Sequence, residues 1–244
     1  MLTPFWVALQ FLTRIPAPKL ADIDSATIGR SAIAYPVVGL LVGAIAASPL
    51  LLFSGGNAML QSALILVIWV LVTGSLHLDG LADSADAWLG GQGNVERTLD
   101  IMKDPRSGPA AIVLVALVLI AKFAAIAVLV EHREWLGLLL VPALGRAGVI
   151  GLFLTTPYVR PGGLGASLVA HLPRRQCTWV ILATGACFLL GGGAGVQSLV
   201  CGVLTAVGGR QLMFARIGGT TGDTAGALVE LAETAAIVGW GLAL

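Results

Sequence analysis

Residues 110–130, AAIVLVALVLIAKFAAIAVLV, carry a single charged residue, Lys122, and decide the fold. As a helix this stretch measures about 31 Å, which matches the ~30 Å hydrocarbon core of a bilayer. The composition agrees, because 57% of the 244 residues are hydrophobic, 11% are charged and the mean hydropathy is +0.93. A soluble domain carries about 25% charged residues. The sequence therefore predicts an integral membrane protein, and its net charge of +1 does not indicate a nucleic-acid partner.

Further apolar stretches flank this one on both sides. They are residues 32–53, 58–76, 135–156, 177–209 and 225–244. Residues 191–195, GGGAG, divide 177–209 into two short predicted spans. Residues 2–12 are apolar but short, and Arg14 and Lys19 follow them, which favours an interfacial helix over a cleaved signal. We expect one all-α domain over residues 1–244, a polytopic membrane helical bundle of about seven transmembrane helices plus an N-terminal interfacial helix.

The basic residues predict the orientation of this bundle. With seven spans and the N-terminus inside, the inner loops hold most of the 14 lysines and arginines. These are Arg14, Lys19, Arg30, Arg97, Lys103, Arg106, Arg160, Arg174, Arg175, Arg210 and Arg216. Because basic residues concentrate on the cytoplasmic side, we expect the acidic segments around residues 78–88, 104 and 223 at the cytoplasmic face.

Residues 77–86, HLDGLADSAD, place three aspartates after the second predicted span. The i, i+4, i+7 spacing puts Asp79, Asp83 and Asp86 on one face of a helix. Three like charges so close repel one another unless a cation lies between them. Their oxygens suit Mg²⁺, which commonly bridges to a substrate phosphate. We therefore interpret them as candidate metal ligands, with His77 as a ligand for metal or phosphate or as a structural hydrogen-bonding residue.

A second acidic site lies in residues 101–109, IMKDPRSGP. A proline and a Gly-Pro pair interrupt regular structure here. Lys103 and Arg106 put two cations beside Asp104, which suits a phosphate or pyrophosphate. The alternative interpretation is a solvated loop before the next span.

A third segment, residues 218–224, GGTTGDT, precedes the last predicted span. Glycines allow close backbone approach to a ligand, and a helix N-terminus favours anions. The candidate ligand-binding residues are Thr221, Gly222 and Asp223, and we expect Asp223 or Thr224 to cap the helix. Glu230 lies about two turns into the span, where capping does not explain a carboxylate, so it is a further candidate.

Lys122 and Arg146 are cations within predicted spans. Such a cation pairs with an acid or reaches an aqueous cavity. For Arg146, a structural ion pair and a ligand contact are equally open.

Together these segments resemble the cobalamin-5′-phosphate synthase family (adenosylcobinamide-GDP ribazoletransferase). The matching stretches are residues 11–16 (FLTRIP), 77–86, 101–108 and 218–233, in the family's order and over the whole chain. HLDGLADSADAW followed by GGTTGDTAGALVELAE is the most specific part of the resemblance.

The resemblance implies a transferase of cobalamin biosynthesis that completes nucleotide loop assembly with Mg²⁺ as cofactor. A ribose hydroxyl of α-ribazole, or of its 5′-phosphate, attacks the cobinamide-linked phosphorus of adenosylcobinamide-GDP, and GMP leaves. Asp79, Asp83 and Asp86 are then expected to hold Mg²⁺, and Asp86 or Asp104 to act as general base. Arg14, His77, Lys103, Arg106, Thr221, Gly222, Asp223 and Glu230 complete the expected ligand-binding set.

Two other functions fit part of the pattern. A CDP-alcohol phosphotransferase would also place aspartates at cytoplasmic helix ends, but Asp79-Gly80 is not followed by the Ala-Arg of that pattern. A cation-coupled transporter would use Lys122, Arg146, Glu230 and Glu233 as an ion path. The acids gather at one predicted face rather than at the midplane, which disfavours transport.

The expected location is the bacterial cytoplasmic (inner) membrane, with the active site on the cytoplasmic face. The expected partners are the two substrates and the lipid bilayer, without nucleic acid. Other corrinoid-pathway enzymes and a second copy of the chain are further candidate partners.

Overall fold

The computed structural model describes residues 3–20, 22–53 and 55–244, and these are almost entirely helical. Met1, Leu2, Ala21 and Ser54 lie outside the described residues, so the predicted interfacial helix is described from Thr3 onward. The helices are α1 (Thr3–Leu12), α2 (Ser25–Ser31), α3 (Tyr35–Ala46), α4 (Ser48–Leu52), α5 (Ala58–Thr73), α6 (Leu76–Gly91), α7 (Val95–Ile101), α8 (Pro109–Glu131), α9 (Trp135–Thr155), α10 (Gly163–Ala170), α11 (Arg174–Cys187), α12 (Gly192–Ile217) and α13 (Gly222–Gly241). Short 3-10 turns at Ala32–Ala34 and Phe188–Gly191 connect neighbouring helices. The all-α prediction is confirmed.

Several helical segments of the described chain are long and apolar enough to cross a membrane. They are Ser25–Leu52, Pro109–Glu131, Trp135–Thr155 and Arg174–Ile217. Ala58–Thr73 and Leu76–Gly91 form a fifth candidate if this pair, bent by 85°, counts as one span. The protein is therefore a polytopic membrane bundle, but length and apolarity identify four or five spans rather than the seven predicted.

Part of this difference lies in Arg174–Ile217, which runs out and back. Arg174 at the start of α11 donates to the Leu154 carbonyl at 2.7 Å, and Arg210 near the end of α12 donates to the Thr155 carbonyl at 2.7 Å. A straight helix of this length would measure about 66 Å, so its two ends could not both contact the end of α9. The chain turns at Gly192, whose φ of 57° suits glycine. This reversal supports the predicted break between spans five and six.

Small residues allow the long helices to pack closely. A Cβ on Gly39 would lie 2.6 Å from the Ala143 backbone, and a Cβ on Gly43 would lie 2.6 Å from the Leu139 carbonyl, both on α9. Small residues at such contacts are typical of helix packing in lipid, where apolar burial does not drive association. α13 is the central helix, since it packs on α6, α8, α9 and α12.

The chain turns sharply between α5 and α6. Gly74 and Ser75 both have left-handed backbone conformations, with φ of 61° and 58°. The N-terminal segment secures the turn, because the Arg14 amide donates to the Val72 carbonyl at 2.8 Å. The predicted span 58–76 therefore ends at Thr73, and α6 departs at 85° from α5. This turn directs the acidic motif across α13 rather than along α5.

Candidate active site

A cavity of about 580 Å³ lies between α6, α9 and α13 on one side and α1, α2 and α10 on the other. Its polar lining includes His77 and Asp79 from α6, Arg146 from α9, and Asp223 from α13. Its volume lies within the roughly 300–1,000 Å³ of small-molecule sites. The first and third acidic segments of the sequence therefore meet at one cavity.

A close helix crossing brings Asp79 and Asp223 together. α6 meets α13 at Gly80, where a Cβ would lie 2.5 Å from the Asp223 carbonyl oxygen. Gly226 faces the same crossing, since its Cβ would lie 3.4 Å from His77 Cα. Because these glycines have no side chains, α6 and α13 approach each other closely. Asp79, which precedes Gly80, and Asp223 at the start of α13 therefore line the same cavity.

Asp79, Asp83 and Asp223 form an acidic group. The negative charges of Asp79 and Asp223, and that of Asp86, all act on the Asp83 carboxyl, while Arg160 acts in the opposite direction. Like charges this close need a compensating cation. Arg160 supplies one within the protein, and three carboxylates leave room for another.

Arg160 is held beside this group by a short backbone bridge. The Val159 amide donates to the Thr220 carbonyl at 2.9 Å, and the Thr220 amide donates to the Pro157 carbonyl at 2.8 Å. The bridge ties the segment after α9 to the start of α13. It places Arg160 Nη1 2.9 Å from Asp223 Oδ2.

The Arg160–Asp223 contact leaves polar atoms without hydrogen bonds. Besides the ion pair between Arg160 Nη1 and Asp223 Oδ2, the Nε and Nη2 atoms of Arg160 are buried and have no hydrogen-bond partner among the described residues. A buried polar atom without a partner costs about 1–3 kcal/mol, more when it is charged. Such atoms beside a cavity are typical of a site that a ligand completes.

Tyr158 adds an aromatic hydroxyl to the cavity wall. A Cβ on Gly165 would lie 2.4 Å from Tyr158 Oη, so this glycine makes room for the ring. Burial raises the pKa of the Tyr158 hydroxyl above its usual 10, and it therefore stays protonated at neutral pH. It can donate a hydrogen bond to a ligand.

Asp86 has a structural role that the sequence analysis did not foresee. Its carboxylate accepts hydrogen bonds from the Gly108 amide and, at 3.0 Å, from the Ala111 amide. Asp86 therefore caps the N-terminus of α8, where free amides and the helix dipole favour a carboxylate. With both oxygens engaged, it is poorly placed to act as the predicted metal ligand or general base.

The loop with Asp104 does not reach the cavity. Asp104 accepts three hydrogen bonds from Arg106, from its amide at 3.0 Å and from its guanidinium at 2.9 and 2.6 Å. This interaction lowers the pKa of Asp104 to about 2. Lys103 lies 3.4 Å from Asp100, in an exposed pair. The structure therefore does not bring Lys103, Asp104 and Arg106 together with the acidic group.

Glu230 is a member of a buried ion network beneath the site. Lys122 Nζ lies 2.7 Å from Glu230 Oε2 and 3.1 Å from Glu233 Oε2, and Arg146 Nη1 also pairs with Glu233. These four side chains are at most 5% exposed, and two positive charges balance two negative ones. Glu230 therefore serves as an intramembrane ion-pair partner and does not line the cavity as expected.

Arg146 combines the two roles that the sequence left open. It pairs with Glu233 and also lines the cavity, with Nη2 3.4 Å from His77 Nδ1. Since a guanidinium can only donate, this contact makes Nδ1 the acceptor and leaves the proton on Nε2 of a neutral His77. His77 thus lies between the ion network and the cavity.

The other expected ligand-binding residues are dispersed. Gly222 lines the cavity. Thr221, rather than Asp223 or Thr224, caps α13, because its hydroxyl accepts from the Thr224 amide at 3.2 Å. The Arg14 side chain packs over Gly74 at the α5–α6 turn. Arg14 and Thr221 therefore have structural contacts that account for their positions.

Sequence reasoning missed Tyr158 and Arg160 as site residues. Arg160 was counted only as an inner-loop cation, and nothing was inferred from Tyr158. The signal was available in residues 156–162, TPYVRPG, where two prolines rigidify a loop that follows an apolar span. Thr220, which forms the backbone bridge with this loop, is distant in sequence, so the bridge could not be predicted.

Fewer carboxylates are placed to bind Mg²⁺ than the sequence suggested. Within residues 3–20, 22–53 and 55–244, no three His, Cys, Asp or Glu side chains converge closely enough to hold one metal ion. Asp79, Asp83 and Asp86 are thus not gathered at one point. Mg²⁺ is usually bound by one or two carboxylates plus substrate phosphates and waters, and Asp79 and Asp223 match that smaller set.

Comparison with known proteins identifies the family. A family model described as Cobalamin-5-phosphate synthase matches residues 4–241. The adenosylcobinamide-GDP ribazoletransferase of Pseudomonas entomophila (strain L48) is 54% identical over 98% of both chains. That of Pseudomonas putida (strain W619) is 52% identical over 98% of this chain and 99% of its own. No solved structure matches the chain. The resemblance drawn from the sequence is confirmed, and the chain belongs to the cobalamin-5-phosphate synthase family.

Proposed function

We propose that this protein is an adenosylcobinamide-GDP ribazoletransferase. A ribose hydroxyl oxygen of α-ribazole, or of its 5′-phosphate, bonds to the cobinamide-linked phosphorus of adenosylcobinamide-GDP. The bond from that phosphorus to the GMP oxygen breaks, and GMP leaves. The product is adenosylcobalamin or its 5′-phosphate.

One structural observation supports this proposal. Asp79 and Asp223, from distant parts of the chain, face one cavity beside Arg160, whose guanidinium has buried N–H groups without partners. Phosphoryl transfer depends mainly on positioning and on neutralising charge on phosphate oxygens. A guanidinium with free N–H groups can bind two phosphate oxygens at once.

Each residue of the site has a proposed task. Asp79 and Asp223 would hold Mg²⁺, which when bound neutralises pyrophosphate charge and polarises the phosphorus. Arg160 binds phosphate oxygens, and His77 and Tyr158 donate hydrogen bonds to bound substrate. Asp86 and Asp104 are engaged elsewhere, so the acidic group itself is the better candidate to accept the hydroxyl proton.

The proposed site lies at the cytoplasmic face of the bacterial inner membrane. The end of α5, the start of α8, the end of α9 and the start of α13 all lie near the acidic motif, and the predicted inner loops connect these ends. Nucleotide substrates are available on that side. The alternative of a cation-coupled transporter loses its ion path, because Lys122, Glu230 and Glu233 satisfy one another.

The decisive experiment is a GMP-release assay on purified protein in lipid nanodiscs. We expect GMP and a cobalamin product from adenosylcobinamide-GDP and α-ribazole with Mg²⁺, and neither product after chelation with EDTA. Adding Mg²⁺ back should restore turnover. CMP release from a CDP-alcohol without GMP release would contradict the proposal and favour the phosphotransferase alternative.

A further inference from the structure

One wall of the cavity contains none of the groups to which the proposed reaction assigns a task. α1, α2 and α10, with the first residue of α3, contribute lining residues such as Val7, Phe11, Ile28, Tyr35 and Leu168. The described lining residues from these elements include no charged side chain. The charged residues all belong to α6, α9 and α13. One side of the cavity is thus uncharged and mostly apolar, with Gln10 and Ser31 as polar members, and we call it the apolar wall. The other side carries the charged groups among further apolar residues, and we call it the acidic wall.

We propose that the apolar wall binds the heteroaromatic base of α-ribazole, so that its ribose faces the acidic wall. The inference rests on the proposed function, and it assigns the apolar wall to the acceptor nucleoside, whose ribose would meet the donor's phosphorus at the acidic wall. A flat, uncharged bicyclic base matches an apolar wall that includes the aromatic rings of Phe11 and Tyr35. These rings lie nearly parallel, with centroids 6.3 Å apart and an angle of 25°.

The other substrate does not fit this wall. Guanine and its pyrophosphate are strongly polar, and polar groups buried without hydrogen bonds cost several kcal/mol. The corrin ring with its amide side chains is too large for a cavity of about 580 Å³. A nucleoside with an apolar base and a polar sugar matches both walls at once.

The acidic wall offers groups suited to the ribose. His77 is 5% exposed and lines the cavity, and its contact with Arg146 leaves Nε2 as a hydrogen-bond donor. Asp79 and Asp223 are acceptors for sugar hydroxyls on the same wall. A ribose hydroxyl placed there lies beside the carboxylates that the proposed transfer requires.

Two cavity variants test the base subsite in opposite directions. Val7→Phe fills part of the apolar wall, and we expect the KM for α-ribazole to rise about tenfold, with the KM for adenosylcobinamide-GDP unchanged. A riboside with the smaller imidazole base should be affected less. Ile28→Ala enlarges the apolar wall on α2 and should improve the transfer of a riboside with a bulkier naphthimidazole base. Val67→Phe, on an exposed face of α5, is the matched control.

The readouts separate this inference from the proposed function. Calorimetric titration of α-ribazole into wild-type protein, Val7→Phe and Val67→Phe measures binding without turnover, and only Val7→Phe should weaken it. Equal α-ribazole affinity and an equal preference among bases in all variants would overturn the inference, as expected if a lipid acyl chain fills the cavity. Binding of α-ribazole without GMP release would instead contradict the proposed function and retain the subsite.

Discussion

The carboxyl of Asp83 is acted on by the negative charges of Asp79, Asp86 and Asp223. Asparagine keeps the shape of this side chain but removes its charge, so the substitution should weaken the attraction for a cation without leaving a hole in the bundle. We expect Asp83→Asn to reduce GMP release by about 10²-fold or more, while the protein inserts and elutes normally in size-exclusion chromatography.

Asp100→Asn is the matched control for that variant. The Asp100 side chain is 77% exposed and contacts only Lys103 in the described pairs. It should retain nearly full activity. Full Mg²⁺-dependent turnover by Asp83→Asn would refute a contribution of the Asp83 charge to cation binding.

Asp104 gives a prediction about pH. Because Arg106 lowers the pKa of Asp104 to about 2, its carboxylate stays ionised at all pH values well above 2 and is a weak proton acceptor near neutrality. Any stability from its ionised form is lost only as the pH falls towards 2. Asp104→Asn should therefore leave the acid limb of the pH–rate profile unchanged between about pH 5 and pH 9. A shift of the acid limb of the pH–rate profile in Asp104→Asn would instead support Asp104 as the general base.

At the scale of elements, the α6–α13 crossing should be intolerant of added volume. Gly80→Ala places a Cβ 2.5 Å from the Asp223 carbonyl oxygen, so α6 and α13 must separate. We expect a loss of about 1–3 kcal/mol in stability, seen as a lower Tm in nanodiscs, together with reduced GMP release. Gly148→Ala on α9, with no atom within 4 Å of its added Cβ, is the control and should be stable. Wild-type behaviour of Gly80→Ala would show that the crossing does not position the site.

The buried ion network joins α8, α9 and α13. Glu233→Gln leaves Glu230 paired with Lys122 but removes the ion-pair partner of Arg146, so one buried positive charge is uncompensated. Breaking such a pair costs about 3–5 kcal/mol. We expect a clear drop in Tm, measured by differential scanning fluorimetry, whereas Glu131→Gln at the exposed end of α8 should change it little. An unchanged Tm in Glu233→Gln would mean that the network does not hold the three helices together.

Apolarity predicted most helices and the break at residues 191–195, because the bilayer demands long uncharged segments. It did not predict the turn at Gly74 and Ser75, which depends on two consecutive left-handed residues. Helical periodicity placed Asp86 with Asp79 and Asp83 but could not reveal that Asp86 caps α8. The capping of α8 by Asp86 and the Arg160–Asp223 contact arise from tertiary packing, which a sequence pattern does not reveal.

For the whole molecule, the orientation and the α11–α12 reversal can be tested together. In a background without Cys177, Cys187 and Cys201, single cysteines replace Glu96 in α7 and Gly193 at the reversal. An impermeant maleimide added to spheroplasts should label Gly193→Cys at once and Glu96→Cys only after permeabilisation. The opposite pattern would invert the orientation, and equal labelling would contradict a hairpin that crosses the membrane.

The central position of α13 has a consequence for biogenesis. A ribosome delivers this helix after all those on which it packs, so Lys122 and Arg146 enter the membrane before either of their glutamates exists. Until then, two uncompensated cations reside in partly assembled helices, a state that is costly in lipid. The same late helix carries Asp223, so neutralisation of these cations and completion of the candidate site occur in one step. A chain that still lacks α13 is thus without the buried ion pairs and without part of the candidate site.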